Sequence, residues 1–340
     1  MIRKLNVQRV ERDKELWLAL LVQEGIKSEE NIDETFGLFE DDKLVATASR
    51  YQNVIKCVAV DSEVQGGAYF NQIISHLMNR NTDFGHFKHY VYTKPCSSEA
   101  FEYLGFKTIE QVDSKLVFME NAISGFDFFL EKLKNERVDA EKIAAIVMNA
   151  NPFTLGHQYL VENAAAENDH VFVFVLSEEM SVFTAAIRKG LVKAGVSHLK
   201  NVSVLSTENY MVSNATFPSY FLKEADDTTA IQARLDARLF VHHIAPVLNI
   251  SRRYVGNEPH SQATNIYNEA LKQEFEGKLS LKILERKENQ LDVISATKVR
   301  ALLVEDDLET VRYFVPETTF NFLQSDEGQE IIKQLKDQSL

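Results

Sequence analysis

Apolar and polar residues follow two different patterns, one before residue 121 and one after residue 140. In the second part, strands are predicted at 143–147, 171–176, 202–205 and 252–255, with helical patterns between them. Strands that alternate with helices in this way are typical of a parallel α/β sheet. In the first part, strand-like pieces at 37–39, 44–48, 57–60 and 90–92 accompany one helix-like segment at 72–80.

The residues between these parts predict a connection. Residues 126–140 have the pattern of an amphipathic helix followed by a short polar link. A length of 340 residues also favours two domains over one. We therefore predict an N-terminal domain at 1–125, a connecting helix and linker at 126–140, and a C-terminal domain at 141–340.

Composition and charge exclude some classes of partner. The hydrophobic content of 45% and charged content of 26% are those of an ordinary globular protein. A formal net charge of -13 argues against binding nucleic acid by phosphate neutralisation, which requires a basic face. The N-terminus has no apolar stretch of signal-peptide length, and no run of about 18 apolar residues occurs. We therefore expect a cytoplasmic protein with no membrane partner.

The two cysteines do not predict a metal site. Neither Cys57 nor Cys96 has a second ligand at metal-binding spacing. Cys57 lies in the apolar segment 54–60, which predicts a small core residue.

A glycine pair lies between a predicted strand and a predicted helix in the N-terminal part. This bend consists of Gln65, Gly66, Gly67 and Ala68. Glycines there let backbone N–H groups approach a ligand, and the helix N-terminus favours negative charge. Together with the later stretch Glu-Tyr-Leu-Gly-Phe at 102–106, the bend resembles the GNAT acetyltransferase family. The resemblance implies a mixed sheet with helices and a site for a CoA-type group.

Two phenylalanines depart from the GNAT pattern. Phe101 aligns with the tyrosine that many GNAT enzymes use to protonate the departing CoA thiolate, and a phenyl ring has no proton to give. Phe70 stands where the family's pyrophosphate loop usually has Gly or Ala. We therefore expect binding of a CoA-type group instead of acetyl transfer from acetyl-CoA. The alternative is a domain of this shape that only packs against its neighbour.

A short polar bend directly follows the apolar run 143–147. It contains Asn151, Pro152, Thr154, Gly156 and His157 and precedes a helical pattern. The proline fixes the turn, the glycine leaves room for a ligand near the backbone, and an imidazole at a helix start can donate to a phosphate as charge builds. The order Asn-Pro-x-Thr-x-Gly-His resembles the signature of the nucleotidyltransferase superfamily.

A second polar stretch, Ile-Ser-Ala-Thr-Lys-Val-Arg at 294–300, lies near the C-terminus. Ser295 is suited to cap a helix whose first N–H groups face an anion, and Arg300 lies about one and a half turns further. The stretch resembles the second motif of the same superfamily, with Ala296 in place of a serine. Alone, it could be a capped surface helix. Together, the two motifs imply a Rossmann-like doubly wound parallel sheet that binds ATP with Mg²⁺ on its phosphates.

Three further stretches, at 181–188, 215–223 and 253–259, extend the resemblance over nearly the whole chain. A GNAT-like part ahead of a nucleotidyltransferase-like part is the arrangement of the citrate lyase ligase family, which the chain resembles. The resemblance implies two steps: acetate attacks the α-phosphorus of ATP, and a thiol then takes the acetyl group from acetyl-adenylate. The thiol belongs to the CoA-derived prosthetic group on the acyl carrier subunit of citrate lyase, which is the implied partner.

The resemblance also implies roles for single residues. His157 and Arg300 are implied to stabilise charge on the phosphates, and Lys223 and Arg188 are candidates for contacts with the β- and γ-phosphates. Those implied to hydrogen-bond or border the nucleotide are Asn151, Thr154, Gly156, Gly256, Glu258, Ser295 and Thr297. Lys223 and Arg188 have the alternative of being solvated surface cations. Glu258 could instead cap the following helix, and Asn151 could only build the turn.

Two other functions are compatible with these motifs. A transferase of the same superfamily could adenylylate a phosphate-bearing metabolite, but the GNAT-like part would then have no explanation. A non-catalytic scaffold for the lyase complex is a hypothesis of a different class.

Overall fold

A computed structural model of the chain describes residues 1–64, 68–177, 181–211, 217–218, 220–222, 227–257, 262–285 and 293–338. Its contacts divide the chain into two compact units. Unit 1 comprises Met1–Glu131 and Thr216–Leu235, and unit 2 comprises Lys132–Ala215 and Asp236–Leu340. The predicted ranges 1–125, 126–140 and 141–340 do not include the separate placement of 216–235, and they remain a prediction.

Unit 1 is built on a mixed sheet with helices, which confirms the fold class predicted for the N-terminal part. Its described strands are β1 (Ile2–Leu5), β2 (Glu34–Glu40), β3 (Lys43–Tyr51), β4 (Val54–Val60), β5 (Lys88–Thr93), β6 (Lys107–Val112) and β7 (Leu116–Ala122). The order across the sheet is β1-β2-β3-β4-β5-β7-β6. Neighbouring strands are antiparallel except β4 and β5, which are parallel.

Helices α1 (Glu11–Gln23), α2 (Ala68–Asp83) and α3 (Pro95–Glu102) connect these strands, and α4 (Phe126–Asn135) follows the sheet. The strand pieces predicted from the sequence lie within β2, β3, β4 and β5, and the predicted helix lies within α2. The turn between β2 and β3 has Asp41 at φ 47° and Asp42 at φ 65°. Two successive positive φ angles are those of the tight hairpin turn that matches the twist of its strands.

Strands β4 and β5 pair over a short stretch only. Val54 pairs with Tyr90, and Ile55 pairs with Val91, after which the described ladder ends. Two residues later, Cys57 has a positive φ of 48°. Cys57 lies in the irregular part of the pairing between β3 and β4, where the register shifts between Thr47 and Ser49.

An insertion from the second half of the chain packs in unit 1 beside these strands. Tyr220 donates a hydrogen bond from its hydroxyl to the carbonyl of Tyr92 (2.9 Å), and its carbonyl accepts one from the Lys27 N–H (2.9 Å). Its own N–H donates to the Glu29 carboxylate (3.1 Å), and the Phe217 ring meets that of Tyr92 edge-on. The apolar side chains described in this insertion, Phe217, Tyr220, Phe221 and Leu222, are all buried.

Unit 2 is built on a parallel sheet with helices, as predicted for the C-terminal part. Its described strands are β8 (Ile143–Met148), β9 (His170–Val175), β10 (Val202–Ser206), β11 (Arg252–Gly256) and β12 (Ser280–Leu284). The order is β10-β9-β8-β11-β12, and every pair is parallel. The chain moves outward from β8 to β10 and then returns to the other side of β8 at β11. This reversal makes the sheet doubly wound, and ligands bind outside the carboxyl ends of the strands at such a reversal.

Helices of the second half include α5 (Leu155–Glu167), α6 (Ala185–Gly195), α7 (Thr228–Leu239), α8 (Ala245–Val247), α9 (Gln262–Phe275), α10 (Ala296–Val304), α11 (Leu308–Val311), α12 (Glu317–Gln324) and α13 (Asp326–Asp337). A 3₁₀ turn occupies Glu208–Tyr210, and a π-helical turn occupies Phe240–Ile244. Helix α5 packs its apolar face against the sheet, since Val161, Ala164 and Ala165 are buried in one core with Ala144 and Ile146 of β8. Within the described ranges, no helix has the length and apolar content that crossing a membrane requires.

Candidate active site

The turn between β8 and α5 lies at the carboxyl end of the central strand of unit 2. Ala150 is buried and has a positive φ of 52°, and the peptide bond between Asn151 and Pro152 is cis. Phe153 is fully buried in the core that holds β8 and α6. The turn is therefore anchored by a buried residue at each end.

Thr154 and His157 form a reciprocal cap at the start of α5. The Thr154 N–H donates to His157 Nδ1 (3.1 Å), and the Thr154 hydroxyl lies 2.9 Å from the same nitrogen. The His157 N–H in turn donates to the Thr154 hydroxyl (3.4 Å). Because Nδ1 accepts from a backbone N–H, the neutral imidazole carries its proton on Nε2. The cap therefore orients His157 so that its Nε2 is a hydrogen-bond donor.

The structure also defines the role of Thr154 more closely than the sequence did. Its side chain is buried, and its hydroxyl is engaged with the imidazole and the backbone of His157. The predicted contact between Thr154 and a phosphate stays a prediction. The observed contacts give this threonine a part in orienting His157.

The two sequence motifs meet at this turn. A Cβ added to Gly156 would lie 3.4 Å from the carbonyl oxygen of Ile294, so the first turn of α5 lies against the segment before α10. Arg300 donates from Nη1 to the carbonyl of Asn151 at 2.5 Å. Residues separated by 149 positions in sequence are thus in direct contact. The two motifs are therefore adjacent in the structure.

The start of α10 is arranged as the sequence predicts. Ser295 is the N-cap, and its hydroxyl accepts from the Lys298 N–H (3.1 Å). Thr297 accepts from Arg300 Nη2 (3.2 Å), which fixes the guanidinium beside the turn. Burial lowers the pKa of Arg300 from its usual value, but the group stays charged at neutral pH. A cation and a helix N-terminus therefore lie together at the carboxyl edge of the sheet, a combination that favours an anion.

Arg188 lies on the other side of the same turn. The side chain is completely buried in the first half of α6. Its Nη1 donates to the carbonyl and side-chain oxygens of Asn149 (2.9 and 2.6 Å), and its Nε donates to the carbonyl of Phe183 (3.0 Å). The alternative that Arg188 is a solvated surface cation is wrong, because the side chain is buried. Its predicted contact with the β- and γ-phosphates remains a prediction.

The remaining predicted residues of unit 2 are placed as follows. Gly256 ends β11, the strand next to β8, and no described atom lies within 4 Å of a Cβ added there. The side-chain oxygen of Asn151 is buried and has no hydrogen-bond partner among the residues that the structure describes. Both residues therefore lie at the carboxyl edge where the sheet reverses direction. Lys223 and Glu258 lie outside the described residues.

In unit 1, the predicted glycine bend is only partly visible. Gln65, Gly66 and Gly67 lie outside the described residues, and Ala68 begins α2 in an exposed position. Phe101 is buried, with its ring edge-on to those of Phe70 and Phe106. This position is therefore part of the hydrophobic core, and it offers no proton donor.

Sequence reasoning gave no role to Asn149 and Ala150, although both belong to the turn. A polar side chain directly after a buried strand was the available signal for Asn149, because such residues lie at the ligand-binding edge of a doubly wound sheet. No residue type marked Ala150, since positive φ is usually met by Gly, Asn or Asp. No group of three or more His, Cys, Asp and Glu side chains that could hold a metal occurs within the described residues.

Comparison with known proteins gives a family and several relatives. Residues 143–323 match the family described as citrate lyase ligase C-terminal domain. The chain is 33% identical to a [citrate [pro-3S]-lyase] ligase of Escherichia coli K12 over 93% of both chains. It is 35% identical to the Klebsiella pneumoniae ligase of the same name, over 83% of this chain and 84% of that protein. A shorter match, at 33% identity over 28% of this chain and 57% of the relative, is to a phosphopantetheine adenylyltransferase of Limosilactobacillus reuteri.

Proposed function

The chain belongs to the citrate lyase ligase family, and we propose that it activates citrate lyase by acetylating the thiol of the lyase's prosthetic group. It is an enzyme of the ligase class. In the proposed reaction, acetate, ATP and the thiol give the acetyl thioester, AMP and pyrophosphate. The CoA-derived thiol is carried by the acyl carrier subunit of citrate lyase, and Mg²⁺ enters with ATP on its phosphates.

The first proposed step forms acetyl-adenylate. A carboxylate oxygen of acetate attacks the α-phosphorus of ATP, a C–O–P linkage forms, and the bond to the β-phosphate breaks to release pyrophosphate. The chemistry requires stabilisation of charge that moves onto the leaving pyrophosphate. Arg300 supplies a positive charge beside the turn, and the Nε2–H of His157 supplies a hydrogen bond to a phosphate oxygen.

The second proposed step transfers the acetyl group. The thiol sulfur attacks the acyl carbon, its proton is lost, and the bond from that carbon to the phosphate oxygen breaks to release AMP. This step reuses the same phosphate contacts, because the leaving group is the phosphate of AMP. We assign no base for the thiol.

Other residues of the proposed site hold the nucleotide. Those proposed to contact the phosphates are Ser295, Thr297, Thr154, Asn151 and Lys223, with Arg188 acting at greater distance. Those proposed to border the adenine or ribose are Gly256 and Glu258, while Gly156 leaves space beside the turn. The N-terminal GNAT-like unit is proposed to bind the CoA-type group through Gln65, Gly66, Gly67 and Ala68. The side chain of Phe101 has no acidic proton to donate, which is compatible with this role, because the thiol attacks as a nucleophile and its sulfur does not have to be protonated.

One observation carries the proposal: Arg300, from the second motif, binds the carbonyl of Asn151 in the first motif. The contact brings the charged group of one motif to the turn that contains His157. A single triphosphate can therefore be reached from both motifs. The experiment is exchange of radiolabelled pyrophosphate into ATP, with and without acetate. We expect exchange that depends on acetate and on Mg²⁺; an enzyme that binds ATP but shows no acetate-dependent exchange would contradict the proposal.

The match to a phosphopantetheine adenylyltransferase favours a second candidate function, adenylylation of a phosphate ester. That reaction also transfers the adenylyl group, but the nucleophile is a phosphate instead of acetate. The same exchange assay distinguishes the two functions. Exchange that requires 4′-phosphopantetheine, and that acetate does not support, would favour the adenylyltransferase.

A further inference from the structure

The turn that carries the first motif contains a strained residue. Ala150 has a φ of 52° and is 1% exposed. A residue with a Cβ pays an energetic penalty in this region, so the conformation persists only where the surrounding structure fixes it. The groups that hold the neighbours of Ala150 therefore determine the shape of the turn.

Both neighbours of Ala150 are held by arginines. On one side, Arg188 Nη1 donates to the carbonyl and to the side-chain oxygen of Asn149. On the other side, Arg300 Nη1 donates to the carbonyl of Asn151. The residues on both sides of the strained residue are thus tied to α6 and to α10.

The environment of Arg188 is that of a side chain held in one position. Its side chain is completely buried, and its Nε donates to the carbonyl of Phe183, just before α6. A planar guanidinium with several donors can hold two separate segments in one geometry, whereas a lysine has one donor centre. Arg188 therefore joins the segment before α6 to the end of β8.

We propose that Arg188 is a positioning residue that holds the Asn149–Asn151 turn in its strained conformation, so that Arg300 and His157 face one phosphate. The inference rests on the proposed function, because it concerns the same phosphate site. It differs from a direct contact between Arg188 and the β- and γ-phosphates, since Arg188 acts through Asn149.

Nucleotide affinity separates positioning from direct contact. Binding of AMP and of α,β-methylene-ATP is measured by calorimetry for the full-length wild type, R188K and R188M. A misplaced turn weakens both nucleotides, and we expect a loss of affinity of about tenfold or more for each, which is about 1.4 kcal/mol of binding free energy. A loss confined to the triphosphate analogue would mean direct contact with the β- and γ-phosphates and would overturn the inference. Unchanged affinity for both nucleotides would overturn it as well.

A double-mutant cycle tests the route through Asn149. Asn149 is exposed, so N149A is expected to fold even if R188M does not. If Arg188 acts through Asn149, N149A also weakens both nucleotides. Because Arg188 still reaches the Asn149 carbonyl in N149A, the loss in R188K/N149A is smaller than the sum of the two single losses. Additive losses would contradict the proposal. A150G in the R188K background should recover part of the affinity, because glycine adopts positive φ without strain.

Arg253 provides a matched control in the same sheet. It is 1% exposed and binds Asp236 (3.2 Å) and the Tyr267 hydroxyl (2.7 Å). R253M should lower thermal stability while leaving both nucleotide affinities unchanged, and an equal loss of affinity would show that any buried arginine has this effect. These binding measurements need neither acetate nor citrate lyase. A wild type without acetate-dependent exchange would therefore refute the proposed function, while the Arg188 inference would still be tested by the affinities.

Discussion

Replacing His157 with amides of different length separates its two hydrogen-bonding roles. Nδ1 accepts from the Thr154 N–H at 3.1 Å, and Nε2 is the proposed donor to phosphate. Asparagine can place its side-chain oxygen near the position of Nδ1, but it has no group at the position of Nε2. Glutamine is common at the third position of a capped helix, where its oxygen accepts from the N-cap N–H, and its amide nitrogen extends further. We therefore expect both H157N and H157Q to fold and only H157Q to keep a donor.

The expected magnitudes follow from the contacts at the cap. H157A removes the acceptor for Thr154 and should destabilise the protein by about 0.5–2 kcal/mol, the range found for lost helix caps. Both amide variants should lie within about 0.5 kcal/mol of the wild type, because the acceptor is retained. Loss of one donor that stabilises developing charge costs about 10²–10³ in rate. H157A and H157N should therefore lose acetate-dependent exchange by this factor, and H157Q should exceed H157N at least tenfold, about 1.4 kcal/mol.

The assay is initial-rate exchange of labelled pyrophosphate into ATP at saturating acetate, with unfolding in urea measured on the same preparations. Equal folded fractions make the rates comparable. The reasoning fails if H157N exchanges at the wild-type rate, since no donor would then be needed at Nε2. It also fails if H157Q is as inactive as H157N although both are as stable as the wild type.

Three further predictions concern charge, thiols and the second motif. Burial of Glu34 acts against ionisation of its carboxyl group, but hydrogen bonds, the largest of them from Arg80, lower its pKa from 4.5 to about 2. The contribution of this carboxylate to the stability of the fold is therefore present above pH 4.5 and is lost as the pH falls towards 2. In urea unfolding, the wild type should therefore exceed E34Q in unfolding free energy by at most about 3 kcal/mol near pH 6, and the difference should vanish by pH 2. A difference that stays constant with pH would contradict this prediction. Burial raises the pKa of Cys57 to about 12, so iodoacetamide should modify only the exposed Cys96 in the native protein and both thiols in urea, as mass spectrometry would detect. S295A should lower the unfolding free energy by about 1 kcal/mol, because the helix cap is lost. S295D should keep the cap but weaken ATP binding, because its negative charge repels a phosphate. An ATP affinity of S295D equal to that of the wild type would argue against a phosphate at the start of α10.

Among the strands that the sequence predicted, β8 and β9 have the longest continuous apolar runs. β8 and β9 lie inside the sheet of unit 2, and nearly all of their residues are buried. The pattern did not reveal β1, β6 or β12, which lie at sheet edges and are largely polar or only partly buried. An edge strand packs against fewer neighbours, so its sequence carries a weaker apolar signal. β7 is an exception, because its buried run Leu-Val-Phe-Met could have been recognised.

The meeting of the two motifs could be predicted, because each has a composition suited to phosphate and lies beside a strand end or a helix start. The direction in which individual side chains point could not be predicted from the sequence. Arg188 binds Asn149, and Thr154 binds His157, through contacts that depend on the positions of α6 and α5 in three dimensions. The insertion of 216–235 into unit 1 was equally hidden, because the motif pattern assigned those residues to the C-terminal domain.

The position of that insertion limits how the chain can be divided in the laboratory. A truncated protein that starts at residue 141 would keep Phe217, Tyr220, Phe221 and Leu222 but lose the strands that cover them in unit 1. Their apolar surface would face water, and such patches promote aggregation. A fragment that ends at residue 125 would lose the hydrogen bonds that Tyr220 makes to the Tyr92 carbonyl and to the Glu29 carboxylate. The two halves are therefore not interchangeable modules, and chimaeras between relatives should exchange 216–235 together with the N-terminal half.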